Sequence, residues 1–513
     1  MKVVSVATMR ELDRLTIAGG TPGLTLMERA GRGAGDETLA FLRTLAPCHR
    51  RRASVLAGKG NNGGDAYVVA RHLAQAGIPT VVYAVCPPAD LTGEARLAAE
   101  GLPPTVAVEV CGAALPPAAL TAGSFIVDGL LGTGISGPLR PPCPRWIEQV
   151  NASGLPVVCL DIPSGLCGDT GQAAGPVVQA DLTVTMGLPK AGLLSESGLR
   201  LCGRLRCLDI GLDADAVENA PSAGQAVFAA DVRAWLPRRP ADGHKGTFGH
   251  VLIVGGSADY TGAPVLAGAA ALRGGCGLVI LAVPAAIRAT LRGLPQALIV
   301  RPVADGGGGF FGDAGLDDLR ALAAWPQALL AGPGIGNRAA HAGALREILS
   351  WPVPAVIDAD ALRTVAANLD WLRRDAATVL TPHPGEMRAL LGGAARPDLV
   401  GAPRHVQAVE LARRTGAIVV LKGLGTVTAA PDGAWHLNTS GHHGLGSGGT
   451  GDVLGGLIGS LLAQGLSALH ASLAGVFLHG LAAELAPTGA RALIADDLPA
   501  LIGEAFRTVT PFA

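Results

Sequence analysis

The chain has 513 residues, enough for roughly two to four domains with cores of their own. Its 40 Lys and Arg against 41 Asp and Glu leave a net charge of −1, which excludes electrostatically driven binding to nucleic acid or anionic membranes. A hydrophobic fraction of 49% with 16% charged residues, and no apolar run as long as a membrane span, predicts an enzyme built on buried parallel sheets.

The first residues, Met1-Lys-Val-Val-Ser-Val, lack the apolar centre of a signal peptide. The nine cysteines form no C-x-x-C pair, and only Cys276 falls in the second half. Reduced thiols in the cytoplasm, buried as small hydrophobes rather than as metal ligands, are the expectation. Short apolar runs then alternate with amphipathic stretches. Ala53–Ala57, Thr80–Val85, Ser124–Val127, Pro156–Leu160 and Leu182–Thr185 read as strands, with a helix over Ala66–Ala76. Three of these strands run directly into glycine loops that carry polar side chains. They are Gly58-Lys-Gly-Asn-Asn-Gly-Gly-Asp65, Asp128-Gly-Leu-Leu-Gly-Thr-Gly134 and Asp161-Ile-Pro-Ser-Gly165. Ligands of open α/β sheets collect at the carboxyl ends of the strands, so these loops form one candidate site. Its amides, carboxylates and hydroxyls suit a phosphate-bearing ligand, a hard cation, or both.

Asp213 to Gln225 is polar, turn-rich and without periodicity, and reads as a linker. It divides the chain into domains over 1–215 and 226–513. Beyond it, His250–Val254, Leu278–Val283, Ala328–Ala331, Ala355–Ile357, Thr378–Leu380 and Ala417–Leu421 read as strands, and Pro264–Arg273 as a helix. The result is an α/β protein of two domains with mainly parallel sheets. Near the end, Ser447-Gly-Gly-Thr-Gly-Asp452 opens the apolar helix that begins Val453-Leu-Gly-Gly. Amides at such a turn converge on an anion, and the helix N-terminus adds partial positive charge. Asp452 is placed to take a proton from a hydroxyl held beside that anion, which suits phosphoryl transfer to an alcohol. The plainer alternative is that Asp452 caps the helix.

These motifs carry a family resemblance over nearly the whole chain. The first half resembles NAD(P)H-hydrate epimerase through Asn-Asn-Gly-Gly-Asp (61–65), Asp-Gly-Leu-Leu-Gly-Thr-Gly (128–134) and Asp-Ile-Pro-Ser-Gly (161–165). The second resembles ADP-dependent NAD(P)H-hydrate dehydratase. Its marks are His-Lys-Gly-Thr-Phe-Gly (244–249), Tyr-Thr-Gly-Ala-Pro (260–264), Gly-Pro-Gly-Ile-Gly (332–336), Thr-Pro-His-Pro-Gly-Glu (381–386), Lys-Gly-Leu-Gly-Thr (422–426) and Gly-Gly-Thr-Gly-Asp (448–452). The resemblance implies an N-terminal Rossmann-like three-layer sandwich and a C-terminal ribokinase-like α/β domain. It implies interconversion of the R and S hydrates, and dehydration of the S form with ADP.

The family's site residues carry over by motif. Asn61, Asn62, Gly63, Gly64, Asp65, Gly132, Thr133, Gly134, Ile135, Ser136, Gly137 and Pro138 would contact the hydrated dinucleotide. Asp161 would touch its nicotinamide end as a catalytic group, with Lys190 assisting or merely solvated. Asn62, Asp128 and Ser164 would hold potassium. In the second half, Ala263, Gly334 and His383 would line the hydrate pocket with catalytic Asp452, although His383 has the alternative of hydrogen-bonding within its turn. Lys422, Gly423, Leu424, Gly425 and Thr426 would bind ADP and its magnesium, with Ser447, Gly448, Gly449, Thr450 and Gly451. The family assembles into homo-oligomers. This chain departs from the family's usual Asn-Pro-Gly-Met-Ala-Thr with His442-His-Gly-Leu-Gly-Ser447. The adjacent His442 and His443 invite a metal reading, but sequence neighbours rarely face one ion. A small-molecule kinase fused to a ligand-binding module is the alternative function.

Overall fold

A computed structural model describes residues 1–49, 52–135 and 137–510, in two compact units, Met1–Ala226 and Val227–Ala513. Ser136 lies outside the described residues.

The first unit is built on a seven-stranded, all-parallel sheet. Its strands lie in the order Ala107–Val110, Thr80–Ala84, Arg52–Ala57, Ser124–Gly129, Val157–Leu160, Leu182–Met186 and Arg204–Leu208. Strand residues alternate between two buried faces. Val55, Val127, Val158 and Val184 join one core with helices Gly23–Thr44 and Asn61–Gln75. Leu56, Ile126, Val157 and Cys159 join a second core with helix Cys143–Ala152. Burial on both faces explains why the central strands read as continuous apolar runs. Strand order reverses at neighbours Arg52–Ala57 and Ser124–Gly129 (Leu56↔Asp128, Ala57↔Gly129), so a crevice opens beyond their carboxyl ends.

The segment read as a linker is structured in part. Asp213 caps the short helix Ala214–Asn219, accepting from the Ala216 amide at 2.8 Å. Ala216, Val217 and Ala220 pack on Val4, Met9 and Leu12. Gly224 and Gln225 pair antiparallel with Val3 and Lys2. The first unit therefore extends past 215 to 226. Its contribution is concealed in sequence because only three small apolar side chains of the segment reach the core.

Among the described residues, the second unit's strands lie in the order Trp435–Asn438, Val427–Ala429, Ile418–Leu421, Thr378–Leu380, Ala355–Ile357, Ala328–Ala331, His250–Val254, Leu278–Pro284 and Ile299–Val303. The seven from Ile418–Leu421 onward are parallel, and the other two form antiparallel neighbours at one end. Val251, Leu330, Val356, Val379 and Val420 share a core with helices Ala263–Arg273, Thr450–Ala463, Ala468–Glu484 and Leu498–Val509. Helices Ala263–Arg273 and Thr450–Ala463 approach closely because Gly456 has no Cβ, which would stand 2.0 Å from the Ala267 carbonyl oxygen. Among the described residues no helix is long and apolar enough to cross a membrane.

Candidate active sites

In the first unit, a cavity of about 940 Å³ opens at the strand ends. Asn61, Asn62, Asp65, Gly132, Thr133, Gly134, Ile135, Pro138, Asp161 and Lys190 line it. Gly63, Gly64, Gly137, Asp128 and Ser164 do not. The Asn61–Asp65 motif is not a loop but the first turn of helix Asn61–Gln75. A Cβ on Gly63 would lie 2.1 Å from the Gly58 carbonyl oxygen, and one on Gly64 2.6 Å from the Met27 side chain. Glycine at both positions lets the helix start pack against the preceding strand end and against helix Gly23–Thr44.

Behind the cavity wall lies a network of oxygens. The fully buried Asp128 accepts from the Ser164 hydroxyl (2.7 Å), the Ser164 amide (2.9 Å), the Leu130 amide (3.2 Å) and the Cys159 thiol (3.3 Å). Burial raises its pKa, and the hydrogen bonds from Ser164 and its neighbours oppose that rise. Asn62 donates to the Leu131 carbonyl at 3.0 Å, while its own Oδ1 is buried without a partner among the described residues. An orphaned amide oxygen beside a carboxylate, a hydroxyl and a carbonyl is a donor set for a hard cation.

Asp161 stands at φ 62, in the left-handed region that Asp tolerates better than most residues. That backbone turns its carboxylate toward the strand end Leu182–Met186. It accepts from the Met186 amide and the Thr185 hydroxyl, each at 3.2 Å, and pairs with the Lys190 ammonium. Lys190 is only 1% exposed and also donates to the Met186 carbonyl at 2.9 Å, which excludes the solvated-surface reading. Asp13 is a cavity residue that no motif signalled. Its one sequence signal is an acid at the i+4 position between Met9 and Ile17 on helix Val6–Ala18.

In the second unit, Gly449 adopts φ 90 and is the N-cap of helix Thr450–Ala463. Asp452 is therefore the third helical residue and not the cap. Among the described residues the amides of Gly448, Gly449, Gly451 and Asp452 donate to no acceptor. Thr450 braces the turn by donating to the Leu445 and Ser447 carbonyls at 2.8 and 3.0 Å. The Asp452 carboxyl is pushed up to about 7, first by burial and then by Asp358, with Lys422 opposing.

Asp358, 1% exposed, accepts from the Lys422 ammonium at 2.8 Å. Burial alone would lower the pKa of Lys422, but Asp358, Glu386 and Asp452 raise it. A Cβ on Gly451 would lie 3.3 Å from Lys422 Nζ and 3.7 Å from Asp358 Oδ2, so the ion pair sits against the helix start. Asp358 went unnoticed in sequence, although it ends a strand (Ala355–Ile357) as Asp128 and Asp161 do. After Lys422, Gly423 (φ 146) and Gly425 (φ 59) shape a loop closed by Thr426, which donates to the Gly423 carbonyl at 3.1 Å. Arg404 holds the Leu424 and Gly425 carbonyls from outside.

Gly334 (φ 63) and Ala263 meet directly, since a Cβ on Gly334 would stand 3.0 Å from that of Ala263. His383 caps helix Pro384–Gly393: its Nδ1 accepts from the Gly385 and Glu386 amides at 2.9 and 3.2 Å. The Glu386 carboxylate in turn accepts from the His383 amide at 2.8 Å, completing a reciprocal capping box. The ring hydrogen then sits on Nε2. His442 also has a structural role, with Nδ1 accepting from the Gly444 amide (3.1 Å) and Nε2 donating to the Ala483 carbonyl (2.9 Å). Both of its nitrogens are engaged, so a metal shared with His443 has no ligand there. Among the described residues no group of three His, Cys, Asp or Glu is placed for a metal.

A family model described as YjeF-related protein N-terminus matches residues 23–192, and one described as NAD(P)H-hydrate dehydratase matches residues 251–504. The bifunctional NAD(P)H-hydrate repair enzyme Nnr of Moorella thermoacetica is 38% identical, over 97% of this chain and 95% of its own. Its namesake in Escherichia coli K12 is 36% identical, over 93% and 88%. Among solved structures, an ADP/ATP-dependent NAD(P)H-hydrate dehydratase from Bacillus subtilis, co-crystallised with ATP and Mg2+, is 30% identical. It matches 56% of this chain and 99% of its own, with a TM-score of 0.48.

Proposed function

The chain belongs to the bifunctional NAD(P)H-hydrate repair enzyme family, and from that premise we propose that it restores hydrated NADH and NADPH in two steps. The first unit interconverts the R and S hydrates in the 940 Å³ cavity, with Asp161 and Lys190 at the nicotinamide end. The second dehydrates the S form at the expense of ADP. Hydration leaves a hydroxyl on C6 of the nicotinamide ring, and hydroxide departs poorly. Transfer of a phosphoryl group from ADP turns it into a good leaving group. Elimination then gives NAD(P)H, phosphate and AMP.

One observation carries the second step. A carboxyl raised to about 7 stands in the first helical turn, beside amides that donate to no acceptor among the described residues, and against the Lys422–Asp358 pair. Asp452 takes the hydroxyl proton, and the amides from Gly448 to Gly451 hold the phosphoryl oxygens as charge shifts onto them. Ala263, Gly334 and the Nε2–H of His383 line the hydrate pocket. Lys422 to Thr426 and the Ser447 loop take the nucleotide. Asn62, Asp128 and Ser164 hold potassium, whose charge favours an anionic ligand, and magnesium enters as the counter-ion of ADP. The nine free thiols suit a cytoplasmic setting, and we expect a homo-oligomer.

The test follows products from the S hydrate with ADP by phosphorus NMR. AMP, phosphate and NAD(P)H should appear in equal amounts. Steady accumulation of a phosphorylated hydrate would instead mark a small-molecule kinase.

A further inference from the structure

Two further carboxylates face the same cavity as the Asp161–Lys190 pair: Asp65, from the motif expected to contact the dinucleotide, and Asp13, which has no role so far. Asp13 comes from helix Val6–Ala18 and Asp65 from the first turn of helix Asn61–Gln75. Neither makes a hydrogen bond or ion pair with another side chain or amide among the described residues, although Asp65 is only 8% exposed. The buried ammonium of Lys190 already pairs with Asp161. Each carboxyl faces the cavity that the Asp161 carboxylate also lines, and burial beside that charge favours a retained proton, with Lys190 opposing.

Resting on the epimerase assignment, we propose that Asp13 is a further catalytic residue of that reaction, its carboxyl giving a proton to the departing C6 hydroxyl and taking one back from the water that re-adds. The bonds balance without a co-reactant. The C6–O bond breaks, the hydroxyl leaves as water with the carboxyl proton, and the N1 lone pair forms an N1=C6 double bond. Water then adds to the opposite face of C6, the electron pair returns to N1, and the released proton goes back to the carboxylate. No atom changes oxidation state overall, and only the configuration at C6 differs.

The charges around Asp13 fit this role. Burial raises its carboxyl to about 6, with Lys190 opposing and Asp161 adding to the rise. Asp65 is raised well above its ordinary value by burial and by Asp161, with Lys190 opposing and Asp13 contributing. Arg10 on the same helix, and Lys59, Glu94 and Arg140, are the other charged groups that line the cavity.

The experiment measures epimerisation of purified R hydrate by full-length wild type, D13N and D13E, at saturating potassium and without ADP. D13N should lose kcat by about 100-fold or more, the usual scale for a positioned acid or base, with KM within a few-fold of wild type. D13E, which keeps a proton donor, should recover a large part of the rate. Dehydration of pure S hydrate with ADP, performed by the other unit, should be unchanged in both variants and serves as the control for intact protein. A D13N enzyme with wild-type kcat overturns the role of Asp13. A wild type that leaves R and S unchanged overturns the epimerase reading itself. Should D13N not fold, the wild-type pH profile decides. An essential protonated carboxyl makes kcat fall as pH rises past about 6, whereas a rate constant through that range refutes the proposal.

Discussion

Asp452→Asn separates chemistry from stability, because the two are expected to move in opposite directions. The substitution keeps the side chain's shape and cannot accept the hydroxyl proton. Dehydration per folded molecule should fall by about 100-fold or more, equivalent to roughly 2.7 kcal/mol of transition-state stabilisation. Stability should rise. The Asp452 carboxyl titrates near 7 in the folded protein, against an ordinary 3.8. Between those values the folded chain holds more protons than the unfolded one. Its stability therefore declines as pH rises through that window and levels off above it. Each pKa unit corresponds to 1.36 kcal/mol, so the penalty has a ceiling of roughly 4 kcal/mol above neutrality. Asn has no such titration, so the variant should melt higher than wild type at about pH 8, with the gap closing as pH falls toward the ordinary carboxylate range. Scanning calorimetry across pH, beside a dehydration assay on the same samples, reads both effects. A variant that keeps full dehydration and melts no higher than wild type would refute the base and the buried-charge argument together.

The remaining predictions address the frame and the cation network. Asp128→Ala strands the buried amides of Leu130 and Ser164 and leaves the Ser164 hydroxyl only the Leu131 carbonyl at 3.2 Å. It should lower stability by about 3 kcal/mol and abolish any dependence of epimerisation on potassium, both measurable by chemical denaturation and a salt titration. Gly456→Ala drives a Cβ to 2.0 Å from the Ala267 carbonyl oxygen. It should destabilise the second unit by at least about 2 kcal/mol while leaving epimerisation by the first intact. A fragment ending at 226 should fold and epimerise, and one ending at 215 should melt clearly lower. The shorter one loses Ala216, Val217 and Ala220 from the Val4–Met9–Leu12 cluster and the pairing of Lys2 and Val3 with Gln225 and Gly224.

What sequence revealed follows from how burial writes itself into composition. Strands such as Arg52–Ala57, Ser124–Gly129 and His250–Val254 are covered on both faces and stand out as apolar runs. Edge strands do not. Ala107–Val110 is mostly exposed, and Ile299–Val303 carries Arg301 and Pro302 in its exposed middle, so neither shows the pattern of a covered strand. Loops with unusual backbone demands were legible through glycine, as at Gly449, but glycine could not tell that Asn61 to Asp65 is already helix. Single acids were the hardest to see. Asp13 depends on a helix from the far N-terminus reaching the strand ends, and Asp358 follows a strand only three residues long. His383 shows the opposite difficulty: its motif was visible, and its capping hydrogen bonds emerge only from geometry.

The most direct test of the two-step account mixes R and S hydrates with the full-length protein and follows the absorbance of the reduced nicotinamide ring, with and without ADP. With ADP, absorbance should return for both epimers, the S form first and the R form at the rate of its conversion. Without ADP, absorbance should stay flat while the R-to-S ratio relaxes to equilibrium. Recovery limited to the S fraction, or recovery that needs no nucleotide, would contradict the account.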